Sequence, residues 1–174
     1  VLRVAIVGKQ GSGKSTIAEA LCACAREPYV VKFADPIYNT LESLNKPKNR
    51  KFMQGFGDLV KECFGKLYFV DHLDYVVKSV KKNIIVDLIV CDDCRYRYEY
   101  KKLKELGFTV IGVYVDDAIR KKRVEDSGYE FIENHNSEQD VDSILEQLDI
   151  VVDNNNADIS RVVKWAEKFY TTIS

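Results

Sequence analysis

The stretch "GKQGSGKST", Gly8 to Thr16, follows the apolar run "VLRVAIV" and constrains the fold more than any other feature of the chain. Gly8, four further residues, then Gly13, Lys14 and Ser15 complete the spacing GxxxxGK[ST], with a buried strand expected before it and a helix start after it. Such a loop turns its backbone N–H groups inward, in conformations that side chains obstruct, which is why glycines recur in it. The helix opening at its end adds unpaired N–H groups and a positive dipole end. A phosphate chain is therefore expected on Gly8, Gly11, Ser12, Gly13, Lys14, Ser15 and Thr16. Lys14 is placed to reach the β- and γ-phosphates, and the Ser15 hydroxyl to ligate Mg2+. The motif alone does not separate binding, hydrolysis and transfer.

The rest of the chain alternates between the two periods that mark strands and helices. Leu2–Val7, Tyr29–Phe33, Leu88–Asp92, Phe108–Val115 and Asp149–Asp153 read as strands. Helical spacing fills "STIAEALCACA" up to Pro28, then Pro36 to Lys82 with breaks at "NKPKN" and "GKLYF". It returns from Tyr96 to Leu106, where Gly107 closes the helix, and in "DDAIRKKRV". Ser137 is expected to cap a helix with Val141, Ile144, Leu145 and Leu148 as its buried stripe. Asp158 opens the last one, carrying Ile159, Val162, Val163, Ala166 and Phe169. "EDSGYEFIENHN" has neither period and reads as a mobile loop. One α/β domain over residues 1–174 follows, with a mostly parallel five-stranded sheet, helices on both faces and ligands at the strands' carboxyl ends.

Composition narrows the function classes. A net charge of −1 gives no global field toward nucleic acid or a membrane surface. No apolar run approaches the roughly 18 residues that span a bilayer, and the start lacks a signal-peptide pattern. A cytoplasmic protein is expected. Five cysteines, an odd number, fit reduced thiols. Cys91 and Cys94 form a CxxC, but there is no second one, and His72 and His135 lie far off in sequence. Buried thiols are expected there rather than zinc, which needs about four ligands. A guanine-specific switch would carry NKxD late in the chain, and the only "NK" is the early "NKPK". A helical insert after the second strand, with a polar, basic-flanked loop before the last, is the pattern of a small-molecule kinase.

Several short stretches supply residues for a second substrate. Asp92 or Asp93 ends a buried strand beside the phosphate loop, where a carboxylate would hold Mg2+; by alternation only one faces it. Arg95 follows and is placed to grip an acceptor's phosphate. Asp35, after strand two, is placed to accept a hydrogen bond or proton from the acceptor, or to serve as N-cap before Pro36. Arg120 and Arg123 lie one turn apart in a basic run, and closure of a lid there would bring an arginine to the transferring phosphoryl.

Taken in order, "KFADPIY", "MQGFGDLVK", "DDCRYRYE" and "HNSE" resemble the motifs FADP, LQxxG, DxRFxxE and HxSE of the deoxynucleoside monophosphate kinases of the phage and virus type. That family is distantly related to dephospho-coenzyme A kinase, and the resemblance runs from Val4 to about Asn155. It implies a three-layer P-loop kinase fold with an acceptor-binding insert over about 36–82 and a short lid over about 117–137. It implies ATP as donor with Mg2+, and transfer to a deoxynucleoside monophosphate. The metal would lie on Ser15 and Asp93, and the acceptor on Asp35, Gln54, Lys61, Asp93, Arg95, Glu99, His135 and Glu138. Asp153 and Asn154 would lie at the donor's adenine, and Lys14, Asp35, Arg95, Arg120 and Arg123 would act in transfer. Tyr96 and Met53 depart from the family's Phe and Leu. Lys61 stands for an expected arginine, which keeps the charge but loses the bidentate fork. Dephospho-coenzyme A or a ribonucleoside monophosphate as acceptor, a nucleotide-binding regulatory domain, and a homodimer all stay open.

Overall fold

Val4, Ala5, Ile6 and Val7 have no exposed surface at all, so the first strand is covered on both faces. The computed structural model describes residues 1–174 apart from 84, 129–130, 132–135 and 157, and the backbone alone at 50, 81, 83 and 136–139. Its strands are β1 (Leu2–Gly8), β2 (Pro28–Val30), β3 (Leu88–Cys94), β4 (Thr109–Tyr114) and β5 (Val151–Asp153). They form a five-stranded sheet in the order β2-β3-β1-β4-β5, and every pairing is parallel. β1 lies between β2 and β3 on one side and β4 and β5 on the other, and the chain crosses over it from β3 to β4. Its carboxyl end therefore faces the crevice where ligands of such sheets bind.

The helices are α1 (Lys14–Cys24), α2 (Asp35–Ser43), α3 (Arg50–Phe64), α4 (Tyr68–Asn83), α5 (Arg97–Glu105), α6 (Asp117–Asp126), α7 (Asn136–Leu145) and α8 (Ile159–Ile173). Alternation along the strands divides the core in two. Val4, Ile6, Leu88, Val90, Ile111 and Val113 pack with Ile17, Leu21, Val162 and Ala166 beneath α1 and α8. Ala5, Val7, Ile89, Cys91 and Val110 pack on the other face against Leu73 and Val77 of α4, Leu103 of α5 and Ile144 of α7. Where α7 ends, its chain meets the strand backbone itself. A Cβ on Gly112 of β4 would lie 2.5 Å from Leu145 Cδ2, so a side chain there would push that leucine aside.

Three expectations shift. The second strand leaves the ladder soon after Val31, whose amide still donates to Val90 O at 2.9 Å. The Asp93 carboxylate takes the next amides, of Phe33 and Ala34, at 3.0 Å each. Asp35 is not the N-cap of α2: Ala34 is, and Asp35 Oδ2 accepts backwards from the Lys32 amide at 2.7 Å. In α8 the buried stripe is Val162, Ala166 and Phe169, whereas Ile159 and Val163 face solvent at 67% and 39% exposure. Of the expected loop, Glu125 and Asp126 belong to α6 and most of the rest lies outside the described residues, as does the Ser137 side chain. All five cysteines are free; Cys91 and Cys94 are buried, but Cys63 is exposed. Among the described residues no helix is long and apolar enough to cross a membrane.

Candidate active site

The loop between β1 and α1 is held from outside. Gly11 and Gly13 adopt positive φ, 77° and 90°. Arg120 Nη1 donates to Gln10 O at 2.7 Å, and Asn154 Nδ2 to Ser12 O at 2.9 Å. In a trans peptide the C=O and N–H point opposite ways, so tying these carbonyls outward turns the Gly11 and Gly13 amides into the loop. Lys14 Nζ spans the loop and donates to Gly8 O and Lys9 O at 2.7 and 2.9 Å. Lys9 pairs with Asp142 of α7 at 2.8 Å. A Cβ on Gly13 would collide with Asn154 Nδ2, and one on Gly8 would stand 2.6 Å from Ser12 Oγ. Helix α1 starts at Lys14 with no side-chain cap, leaving its first-turn N–H groups to the same space. Inward amides, an ammonium and an uncapped helix start fit a triphosphate.

The end of β3 corrects one expectation. Ala5 pairs with Cys91 but Val7 pairs with Cys94, so β3 carries one extra residue between them. A register shift of this kind re-aims side chains next to it. Asp92, only 5% exposed, turns toward α1: its Oδ2 accepts from Ser15 Oγ at 3.1 Å, and its Oδ1 meets Lys32 Nζ at 2.7 Å. Asp93, expected at the metal, is instead committed to the Phe33 and Ala34 amides. Burial pushes the Asp93 carboxyl above its ordinary range, and the two amides pull it down without cancelling that. Asp35 is raised by burial too, against the Lys32 amide and ammonium. For Lys32, burial works to lower its pKa, yet the hydrogen bond and charge of Asp92 outweigh it and the ammonium titrates above its usual value. The Ser15 hydroxyl and the Asp92 carboxylate form a pair of hard oxygen donors, the set that suits Mg2+ carried on phosphates. Lys32 went unread in the sequence; its one signal is a charge inside the apolar run "YVVKF".

Beyond β3 the acceptor candidates divide. Arg95 is exposed. The Tyr96 and Tyr98 rings stack at 5.2 Å, with Lys61 Nζ 5.6 Å from the Tyr96 ring and Lys66 Nζ 5.2 Å from the Tyr98 ring. Glu99, expected to touch acceptor, is turned inward. It is 7% exposed, and its Oε2 accepts from the Arg95 and Tyr96 amides at 2.8 and 3.0 Å. It therefore shapes the turn that presents Arg95, and burial pushes its carboxyl up to about 8. Gln54 lies exposed on α3. His135 and the Glu138 side chain fall outside the described residues. An apolar groove of about 740 Å³ sits on the insert, between Leu41 and Leu44 and the ring pair Phe52 and Phe56, away from the phosphate loop.

Neither lid arginine reaches outward. Arg120 is 3% exposed, and besides Gln10 O it binds Asp117 Oδ1 through Nη2 at 2.8 Å and lies over the Phe131 ring at 5.3 Å. Arg123 Nη2 donates to Asn154 O and Asn155 O at 2.8 and 3.2 Å. Both brace α6 against the phosphate loop and the turn after β5. Asn154 is buried in that turn, and Asp153 is exposed, accepting from the Asn155 amide at 2.9 Å.

A family model described as AAA domain matches residues 4–142. No curated protein matches the chain. Among solved structures, the tunicamycin resistance protein of Deinococcus radiodurans superposes with a TM-score of 0.63 at 16% identity, covering 97% of this chain and 94% of its own. The shikimate kinase of Aquifex aeolicus vf5 follows at TM-score 0.59 and 16% identity, with 98% and 96% covered. The gluconokinase of Sinorhizobium meliloti 1021 superposes at 0.53 and 15%, with 98% and 92% covered. The fold is that of P-loop kinases.

Proposed function

The chain belongs to the AAA domain family, and from that premise we propose that it moves the γ-phosphoryl group of ATP onto a deoxynucleoside 5′-monophosphate, giving the diphosphate and ADP. One observation carries the choice of acceptor. Past Asp92, the exposed Arg95 stands beside a stacked tyrosine pair flanked by Lys61 and Lys66, a cationic and aromatic face of the kind a nucleotide's phosphate and base would suit. In this reading the inward amides of Gly11 and Gly13, with Lys14, hold the donor's β- and γ-phosphates. Ser15 and Asp92 hold Mg2+, which when bound neutralises charge developing on the phosphate oxygens. Arg95 grips the acceptor's phosphate, and the insert of α2 to α4 closes around its nucleoside.

The bond from the γ-phosphorus to the β–γ bridging oxygen breaks, and a bond to an acceptor phosphate oxygen forms. That oxygen is already ionised near neutral pH, so no base has to remove a proton. A hydroxyl acceptor would need one, and Asp35, half-buried with a raised pKa, is the available carboxylate. This second reading is favoured by Asp35 and by neighbours that are a shikimate kinase and a gluconokinase.

A coupled ADP-release assay decides. The panel holds the four deoxynucleoside monophosphates, their ribose counterparts, dephospho-coenzyme A, shikimate and gluconate. We expect turnover with a deoxynucleotide, about a 100-fold fall in kcat/KM for Arg95→Ala at unchanged ATP affinity, and less than about a tenfold fall for Asp35→Asn. Turnover with shikimate or gluconate alone, abolished by Asp35→Asn, replaces this reading with the hydroxyl one. No turnover with any acceptor leaves a nucleotide-binding domain.

A further inference from the structure

We infer that Lys32 is the resident counter-cation of the metal site, so that its ammonium and a divalent ion compete for the one carboxylate of Asp92. The inference rests on the reading of Ser15 and Asp92 as the metal's oxygens. A buried carboxylate, Asp92, and a half-buried one, Asp93, stand side by side in β3, an arrangement that needs compensation. Asp93 obtains it from two backbone amides, which nothing displaces while the fold stands. Asp92 obtains it from a hydroxyl and from Lys32 Nζ at 2.7 Å, partners that can exchange.

The placement of Lys32 is built rather than incidental. Its own amide is fixed by Asp35 Oδ2 at 2.7 Å, so its stem starts from a held point at the end of β2. The side chain is 30% exposed, which leaves its head a path to water, whereas Asp92 at 4% has none. An ion carrying two positive charges on Ser15 Oγ and Asp92 Oδ2 would sit within a few ångströms of the ammonium and repel it. One of the two cations must give up the carboxylate. The protein without nucleotide should thus hold a divalent ion weakly, and hold it better when triphosphate brings negative charge to meet both cations.

Titration of Mn2+ into nucleotide-free protein, with free Mn2+ read by electron paramagnetic resonance, tests this without any turnover. Lys32→Met should tighten Mn2+ binding by at least about tenfold, since a unit charge a few ångströms away is removed. Lys32→Gln should do the same, and Lys32→Arg should stay near the parent. Adding Asp92→Asn to Lys32→Met should abolish the gain. Melting curves establish that each variant is folded. The inference is overturned if neither neutral variant binds Mn2+ more tightly, or if the gain survives Asp92→Asn. These outcomes are separable from the kinase reading. Failure to phosphorylate any acceptor leaves the Mn2+ series unaffected, and an unchanged Mn2+ affinity leaves acceptor turnover unaffected.

Discussion

Asp93 accepts the amides of Phe33 and Ala34, whereas Asp92 faces the Ser15 hydroxyl and the Lys32 ammonium. The same substitution should therefore read out differently at neighbouring positions. Asp93→Asn puts an NH2 against an N–H donor and loses a charge-assisted bond, at about 2 kcal/mol. In a chain of this size that is a fall in Tm of about 4–8 °C. Asp92→Asn keeps the shape but removes the negative charge at the metal site, so kcat should fall at least about 100-fold with Tm close to the parent's, since relief of repulsion with Asp93 offsets the lost Lys32 pair. Melting curves and the ADP-release assay on both variants check the pair. If Asp93→Asn abolished turnover at an unchanged Tm, the assignment would revert to Asp93. Sequence reading brought the choice down to these two residues and took Asp93, whereas the structure sets Asp92 beside Ser15. Alternation assumes an unbroken strand, and the extra residue between the Ala5 and Val7 pairings is set by packing, with no local signature in "VCDDC". The left-handed glycines Gly11 and Gly13 and the helix start at Lys14 were legible because they depend on backbone geometry within nine consecutive residues.

At the N-terminus of α5, the turn that carries Arg95 depends on a buried carboxyl that accepts two amides. Burial outweighs those amides and raises Glu99 from 4.5 to about 8. Between those values the folded protein keeps a proton that the unfolded chain has released. Stability contributed by this group is therefore full at low pH and lost as pH rises toward about 8. Glu99→Gln keeps an acceptor for the amides and removes the titration. Its Tm should fall less than the parent's between pH 6 and 9, by about 5 °C, as thermal unfolding in matched buffers would show. Parallel curves for the two proteins would sink the idea. Element types and most helix stripes were readable, because periodicity reports burial directly. The positions read differently are those where a side chain turns inward, to a nearby turn or to a partner far along the chain. Glu99, expected at the acceptor, accepts from the amides of Arg95 and Tyr96 just before it, while Arg120 and Arg123, expected at the transferring phosphoryl, donate to carbonyls of the phosphate loop and of the turn after β5.

Across the whole molecule, the phosphate loop near the start of the chain is shaped by residues more than a hundred positions away. Arg120, Asn154 and Asp142 come from α6, the turn after β5, and α7, and each takes hold of the outer side of residues 9–12. No sequence pattern announces such bonds, since each is a single long-range contact. If they pre-organise the loop amides, their loss should weaken nucleotide binding as well as the fold. Asn154→Ala leaves the carbonyl of Ser12 without its buried donor, which costs about 1–3 kcal/mol of stability. It should also weaken ATP binding by about tenfold, because inward amides are no longer held. Ligand stabilisation grows as the logarithm of ligand over Kd, so saturating ATP should widen the gap between variant and parent by about 1.4 kcal/mol. In Tm that is roughly a further 3–5 °C. A purely structural role for Asn154 predicts the opposite pattern, a Tm gap that is the same with and without ATP. Melting curves of the two proteins across an ATP series separate them, and an unchanged gap would assign Asn154 to the scaffold alone.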